Sequence, residues 1–163
     1  MISVNNQTVL NKQDFEKILV AIDGSTHSIK AAKFAIDLAS KYGSEIILLS
    51  VVPSRISVGD SSGIFGMVSE SYLKKYKEDS KIWFNEIIKE SKNKGIDVES
   101  RIKTKVVTTP VSIVAGVLDY AIKEKVKLII IGTRGRSGIK RMLLGSVASG
   151  VVTYAHCPVM VIK

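Results

Sequence analysis

Glycines punctuate one segment of the chain in a pattern suited to binding an anion. Gly132, Gly135 and Gly138 are followed by Gly145-Ser146, so the segment reads G-x2-G-x9-G-S from Gly132 onward. Glycine adopts left-handed or strained dihedrals that let consecutive backbone N–H groups converge on a phosphate, and it has no side chain to block close approach. Ordered loops of this length are more often functional than not, so we predict a phosphate cradle; the alternative is a long glycine-rich connection.

Groups next to these glycines would strengthen anion binding. Gly145-Ser146 stands where a helix is predicted to begin, and the unpaired amides and dipole of a helix start add roughly half a positive charge. The Ser146 hydroxyl can donate a hydrogen bond to a phosphate oxygen. Basic side chains add mobile positive charge at the rim: Arg134, Arg136, Lys140 and Arg141.

A carboxylate follows an earlier apolar run. Lys17–Asp23 is nearly all apolar and ends in a tight turn at Asp23-Gly24-Ser25. The Asp23 carboxylate can accept hydrogen bonds from ribose hydroxyls or hold Mg²⁺. Alternatively, Asp23 caps the helix that follows, a role that Ser25 and Thr26 could also fill.

Strand and helix patterns alternate along the chain, and this alternation demands a mainly parallel sheet covered on both faces. We therefore predict an α/β fold, a doubly wound five-stranded parallel sheet in a single domain over residues 16–163. Residues 1–15 form a polar N-terminal extension, and 53–66 are expected to be a flexible loop. The predicted strands are Lys17–Asp23, Glu45–Val52, Asp97–Val106, Lys127–Ile131 and Pro158–Ile162, and the predicted helices are His27–Tyr42, Met67–Lys94, Pro110–Lys123 and Gly145–Ala155.

In such sheets, ligands bind at the carboxyl ends of the strands, where the winding direction reverses. If the first and fourth strands flank that point, the Asp23 turn and the glycine-rich segment face one crevice.

Composition narrows the class of protein. The chain has 163 residues, 45% of them hydrophobic, and no apolar run approaches the roughly 18–20 residues that cross a bilayer. The polar start lacks the apolar middle of a signal peptide, and the lone Cys157 cannot form an internal disulfide, so we expect a cytoplasmic protein. The net charge of +9 attracts polyanions, but the lysines are spread out and no nucleic-acid-binding motif is present. We therefore expect neither nucleic acid nor a membrane as partner.

The spaced glycines also resemble a known family. G-x2-G-x9-G-[ST] is the pattern of the ATP-binding branch of the universal stress protein (UspA-like) family, and the other branch lacks it. The stretches ILVAIDGS, LLSVV, IIIGTRGRSG, LLGSVASGVV and HCPVMVIK are similar to that family too, so the resemblance runs from about Glu16 to Lys163. It implies a Rossmann-like, adenine nucleotide alpha hydrolase-like fold that binds ATP.

The resemblance also implies roles for particular residues. Asp23 and the Ala21 backbone would lie by the adenosine, the Val51 backbone would meet adenine, and Ser146 and its successors would hold the phosphate tail. The implied nucleotide-binding set is Ala21, Ile22, Asp23, Val51, Gly132, Thr133, Arg134, Gly135, Arg136, Ser137, Gly138, Gly145, Ser146, Val147 and Ala148, with Asp23 as the candidate ligand of Mg²⁺. Members commonly form homodimers through the last strand, here Val159–Ile162.

Together these observations predict an ATP-binding module that regulates a stress response, with a protein partner that the residues do not identify. One alternative is a slow or partner-stimulated, Mg-dependent ATPase. The chain lacks the Walker pattern G-x4-G-K-[ST], and we assign no catalytic residue. A basic protein associated with nucleic acid is the other alternative, motivated by the net charge alone.

Overall fold

The computed structural model describes residues 15–57, 65–93, 99–135 and 144–163. The strands are β1 (Lys17–Ala21), β2 (Glu45–Pro53), β3 (Arg55–Ser57), β4 (Phe65–Met67), β5 (Ile102–Thr109), β6 (Leu128–Gly132) and β7 (Val159–Ile162). The helices are α1 (Thr26–Tyr42), α2 (Glu70–Asn93), α3 (Ile113–Lys123) and α4 (Ser146–Tyr154).

Five strands form one parallel sheet in the order β5-β2-β1-β6-β7. Val20 at the centre pairs with Leu48 on one side and Ile130 on the other. The chain therefore winds outward from β1 through β2 to β5, then returns to β6 and continues to β7. This is the doubly wound five-stranded sheet that the alternation predicts, and the winding reverses between β1 and β6.

Helices cover both faces of the sheet, which explains the uninterrupted apolar runs of the central strands. On one face, α1 and α2 pack over a cluster that includes Val20, Leu48 and Ile130. On the other face, α3 and α4 pack over the alternate residues, among them Leu49 and Ile129. No helix within the described ranges is both long and apolar enough to cross a lipid bilayer.

The helix boundaries follow local capping. Helix α1 starts after Ser25, whose side chain accepts from the Ser28 N–H, and ends at Gly43, whose φ of 72° suits a glycine stop. Helix α3 starts later than predicted, at Ile113, because Ser112 provides its N-cap. Helix α2 also starts later than predicted, since Met67 belongs to a strand.

The segment after β2 contains two short strands that we did not predict. β3 and β4 pair antiparallel at the two ends of the stretch 53–66 that was expected to be a flexible loop. Residues 58–64 lie outside the described residues, so the flexible loop stays a prediction there. The Ser54 N–H donates to the Thr109 carbonyl at 2.8 Å, and the Val68 N–H donates to the Ser54 carbonyl at 3.0 Å. The ribbon is therefore anchored at the carboxyl end of β5. Strands of three residues are too short for their alternation to be visible in a sequence.

Candidate functional site

A pocket of about 150 Å³ opens at the carboxyl edge of the sheet, where the winding reverses. Parallel strands bring their carboxyl ends to one edge, so segments far apart in the chain meet there. The lining comes from the ends of β1, β2 and β6 and from the starts of α1, α3 and α4. The lining residues are Ala21, Ile22, Asp23, Ser28, Leu49, Val51, Ile113, Val117, Ile131, Gly132, Thr133, Arg134, Gly135, Gly145, Ser146, Val147 and Ala148.

The structure brings together every predicted site residue that it describes, because all of them occur in this lining. Arg136, Ser137 and Gly138 lie outside the described residues. The sequence reasoning missed the apolar part of the wall. Spacing could have revealed it, because Leu49 shares a strand face with Val51, and Ile113 and Val117 are four apart on a helix.

That apolar wall depends on a close approach between α3 and β2. A Cβ built on Gly116 would lie only 2.7 Å from Cγ1 of Val51, so any side chain there would push α3 away from the strand. The glycine lets Ile113 and Val117 of α3 share one wall with Leu49 and Val51. This part of the pocket suits a largely apolar group.

The turn after β1 places a carboxylate in the pocket lining. Asp23 Oδ1 accepts from the Ser25 N–H at 3.0 Å, and the Asp23 N–H donates to Ser28 Oγ at 3.4 Å. Ser25 is the cap of α1, because its Oγ accepts from the Ser28 N–H at 3.2 Å. Asp23 is therefore not the helix cap that the sequence left open as an alternative.

Two glycines of the predicted cradle are required by contacts within the protein. Among the described glycines, positive φ occurs at Gly24 and Gly43, so Gly132 and Gly135 do not have the left-handed dihedrals that we offered as one reason for them. Their other predicted role, to let phosphate approach closely, stays a prediction. A Cβ on Gly132 would lie 2.7 Å from the backbone carbonyl carbon of His27, and one on Gly135 would lie 2.7 Å from Asp23 Oδ2. Gly132 lets α1 approach β6, and Gly135 leaves room for the Asp23 carboxylate.

The two ends of the segment between β6 and α4 lie next to each other. The Gly145 N–H donates to the Thr133 carbonyl at 2.7 Å, and the Thr133 N–H donates to the Ile162 carbonyl at 2.8 Å. Ser25 Oγ donates to the Arg134 carbonyl at 3.3 Å. The two ends are thus fixed to each other, to the end of β7 and to the cap of α1.

Helix α4 begins at the pocket with a glycine as its N-cap. Gly145 has φ −70° and ψ 158°, and it offers no side-chain acceptor of its own to the first turn. Ser146, Val147 and Ala148 of the first turn belong to the pocket lining. Amides at a helix start carry partial positive charge, so this end of the pocket suits an anionic group.

Other reactive groups of the described chain lie elsewhere. The described residues contain no group of three or more His, Cys, Asp or Glu side chains that could hold a metal ion. Cys157 packs beside the cluster under α3 and α4, outside the pocket lining. Burial raises the pKa of its thiol, and a hydrogen bond with the Ile129 backbone opposes that rise. Protonation makes the thiol a poor nucleophile.

Comparisons with known proteins agree with this architecture. The model of the universal stress protein family matches residues 14–163. A universal stress protein of Methanocaldococcus jannaschii is 32% identical over 160 residues, which cover 97% of this chain and 88% of that protein.

Two solved structures share the fold. The universal stress protein from Archaeoglobus fulgidus in complex with dAMP has a TM-score of 0.63 at 21% identity, covering 91% of this chain and 98% of that one. A universal stress protein in complex with cAMP has a TM-score of 0.64 at 19% identity, covering 91% and 97%. The family match spans nearly the whole chain, from before β1 to the end of β7, and the chain belongs to the universal stress protein family.

Proposed function

We propose that the chain binds ATP in the pocket between β1 and β6 and acts as a nucleotide-dependent regulatory module of a stress response. One observation carries this proposal: a single pocket combines an apolar wall, the Asp23 carboxylate and the start of α4, whose N-cap is a glycine. These three features match the base, the sugar and the phosphates of a nucleotide. The complexes of two relatives with dAMP and cAMP, both adenine nucleotides, support the choice of base.

Each part of the ligand would use a different part of the lining. Adenine packs against the apolar wall that Leu49, Val51 and Ile113 help to form. Ribose hydroxyls donate to Asp23. Phosphate oxygens accept from the first-turn amides of α4 and from the Ser146 hydroxyl, where the helix dipole favours negative charge.

We propose the same site for Mg²⁺. This ion keeps several waters and is bound through one or two carboxylates together with substrate phosphates. Asp23 is the one carboxylate in the described lining, which is enough for an ion that enters with the nucleotide. The described lining contains no second carboxylate and no histidine that could act as a general base. We therefore expect ATP to bind much faster than it is hydrolysed.

The test is to ask what the protein carries and what it binds. Protein purified from cells is analysed for nucleotide by mass spectrometry, and ATP, AMP, cAMP and GTP are compared by calorimetry. We expect adenine nucleotides to bind and GTP to bind more weakly. Failure of every adenine nucleotide to bind would reject the proposal. Turnover in the ordinary enzyme range of about 1–10³ s⁻¹ would favour an ATPase instead.

We also propose that the module is a homodimer joined through β7, which is an edge of the sheet. The carbonyls of Pro158 and Ile162 accept hydrogen bonds from the strand beside them, so Val159 and Val161 present their backbone groups outward. Pairing with a second copy about a two-fold axis would satisfy those groups.

Sedimentation at tens of micromolar protein tests this assembly. Val161→Pro should weaken the dimer because it removes an outward N–H, whereas Val161→Thr keeps that donor and should not. A monomeric parent protein, with and without ATP, would contradict the dimer.

A further inference from the structure

We propose that Trp83 of helix α2 is a positioning residue for the pocket. Its indole supports the turn Asp23-Gly24-Ser25 and thereby sets where the Asp23 carboxylate lies. For its effect on a ligand, the inference rests on the proposed nucleotide site.

The indole and the turn are in direct contact. A Cβ built on Gly24 would lie 2.5 Å from Cζ2 of Trp83 and 2.9 Å from Cδ2, distances that real side chains do not reach. Gly24 also has a φ of 79°, a conformation that L side chains rarely adopt. The backbone at Gly24 therefore rests against the benzo ring of the indole, and a residue other than glycine would have to move one or the other.

Hydrogen bonds hold the two ends of this turn, and the indole holds its middle. Asp23 and Ser25 are linked by the bond from the Ser25 N–H to Asp23 Oδ1, and the Asp23 N–H donates to Ser28 Oγ. The second bond is long at 3.4 Å, so it restrains the turn weakly. Contact with a rigid ring of α2, which packs on the same face of the sheet as α1, adds a steric restraint at Gly24, in the middle of the turn.

Trp83 is itself fixed by its neighbours on α2. The ring of Tyr76 meets the indole edge-on, with centroids 5.8 Å apart and an interplanar angle of 87°. The Tyr76 hydroxyl donates to the Val51 carbonyl at 3.4 Å, and Val51 lines the pocket. Ser80 ties the same helix to the sheet through its bond to Ser50 Oγ at 3.2 Å.

Helix α2 thus touches two segments of the pocket wall although none of its described residues lines the pocket. It contacts the turn after β1 through Trp83 and the end of β2 through Tyr76. A residue that reaches the ligand only through others acts by positioning. Removing Trp83 should therefore loosen the turn directly, and it should weaken ligand binding only as a consequence.

The first experiment needs no ligand. Amide exchange at Ser25 is measured by nuclear magnetic resonance in the parent protein, in Trp83→Leu and in Ile87→Ala, without nucleotide. Ile87 is the matched control, because it is one helical turn further along α2 and buried in the same core cluster. After correction for global stability, we expect the Ser25 amide to exchange at least tenfold faster in Trp83→Leu than in the parent protein. In Ile87→Ala its exchange rate should equal that of the parent. Trp83→Phe, which keeps an aromatic ring, should fall between them and serves if Trp83→Leu does not fold.

The second experiment measures ATP affinity in a double-mutant cycle with Asp23→Ala. We expect Trp83→Leu to weaken binding about tenfold in the parent and not at all once Asp23 is absent, since its effect passes through that carboxylate. Equal losses in both backgrounds, or unchanged Ser25 exchange, would overturn the inference and leave Trp83 a core residue. If the parent binds no adenine nucleotide, the proposed function fails, and Ser25 exchange alone decides the role of Trp83.

Discussion

Helices α1 and α4 both begin at the pocket, but they begin in different ways. Helix α1 is capped by Ser25, whose hydroxyl accepts from the Ser28 N–H. Serines also accept from the first turns of α2 and α3, where Ser69 receives the Tyr72 N–H and Ser112 receives the Ala115 N–H. Helix α4 instead has Gly145 at this position, and glycine has no side chain that could accept.

The difference indicates which helix start is available to a ligand. A serine cap satisfies an amide from within the protein, whereas a glycine leaves that amide to another acceptor. Replacing a good cap by glycine costs only a few tenths of a kcal/mol, so an uncapped start is compatible with a stable fold. The start of α4 is therefore suited to phosphate, while the start of α1 builds the wall beside it.

The largest expected effect comes from giving α4 an anionic cap. Gly145→Asp should weaken ATP binding on the order of a hundredfold, about 3 kcal/mol, because its carboxylate would occupy the amides and repel phosphate. The φ of −70° suits other residues, and a new Cβ would lie 3.3 Å from the Thr133 carbonyl oxygen, a tight but adjustable contact. Calorimetry and thermal unfolding should show lost affinity without lost stability.

Gly145→Ser is the matched variant with a neutral cap, and it should lose less ATP affinity than Gly145→Asp. Unchanged ATP affinity in Gly145→Asp would show that phosphate does not bind at α4, and the comparison between the two helix starts would lose its functional meaning.

A smaller effect is expected at Gly135. Gly135→Ala should weaken ATP binding about tenfold, because its Cβ would displace Asp23 Oδ2, which lies 2.7 Å from that position. With Asp23→Ala already present, the same substitution should cost little. A loss that persists there would favour close approach of phosphate to Gly135, the reason that the sequence suggested. Calorimetry on the parent protein, the two single variants and the double variant separates the two explanations.

The smallest effect concerns the serine caps of α1 and α3. Ser112→Ala should cost about 1 kcal/mol of the free energy of unfolding, and Ser25→Ala should cost more, because Ser25 also donates to the Arg134 carbonyl. Each kcal/mol lowers the melting temperature by roughly 2–4 °C in a chain of this size. Thermal unfolding of both variants measures the difference, and equal shifts would mean that the Ser25–Arg134 bond contributes nothing.

Much of the fold could be predicted because it follows from local patterns. Buried central strands produce continuous apolar runs such as Glu45–Val52, and the first helix ends at Tyr42, as predicted, because Gly43 follows it. The alternation predicted the doubly wound sheet but left the order of its strands open, and the structure places β1, which precedes the Asp23 turn, beside the strand that ends at Gly132. All the predicted site residues that the structure describes consequently lie around one pocket.

What escaped prediction depends on contacts between residues far apart in the chain. Gly132 and Gly135 lie close to His27 and Asp23, more than a hundred positions earlier, and a sequence does not show such approaches. The contact of Trp83 with Gly24 could not be predicted either, because the position of Trp83 in a helical pattern says nothing of the turn that it meets. The family resemblance named residues that line the pocket but not those that support it.

The contact between Trp83 and Gly24 has a spectroscopic consequence. The chain contains a single tryptophan, so all of its indole fluorescence originates beside the turn that carries Asp23. The emission reports the surroundings of one wall of the pocket, without a label and without interference from a second indole. Stopped-flow mixing could follow that signal in real time, with Trp83→Phe as the dark reference. The protein thus contains its own optical probe next to the pocket, on a residue that contacts the turn without lining the pocket itself.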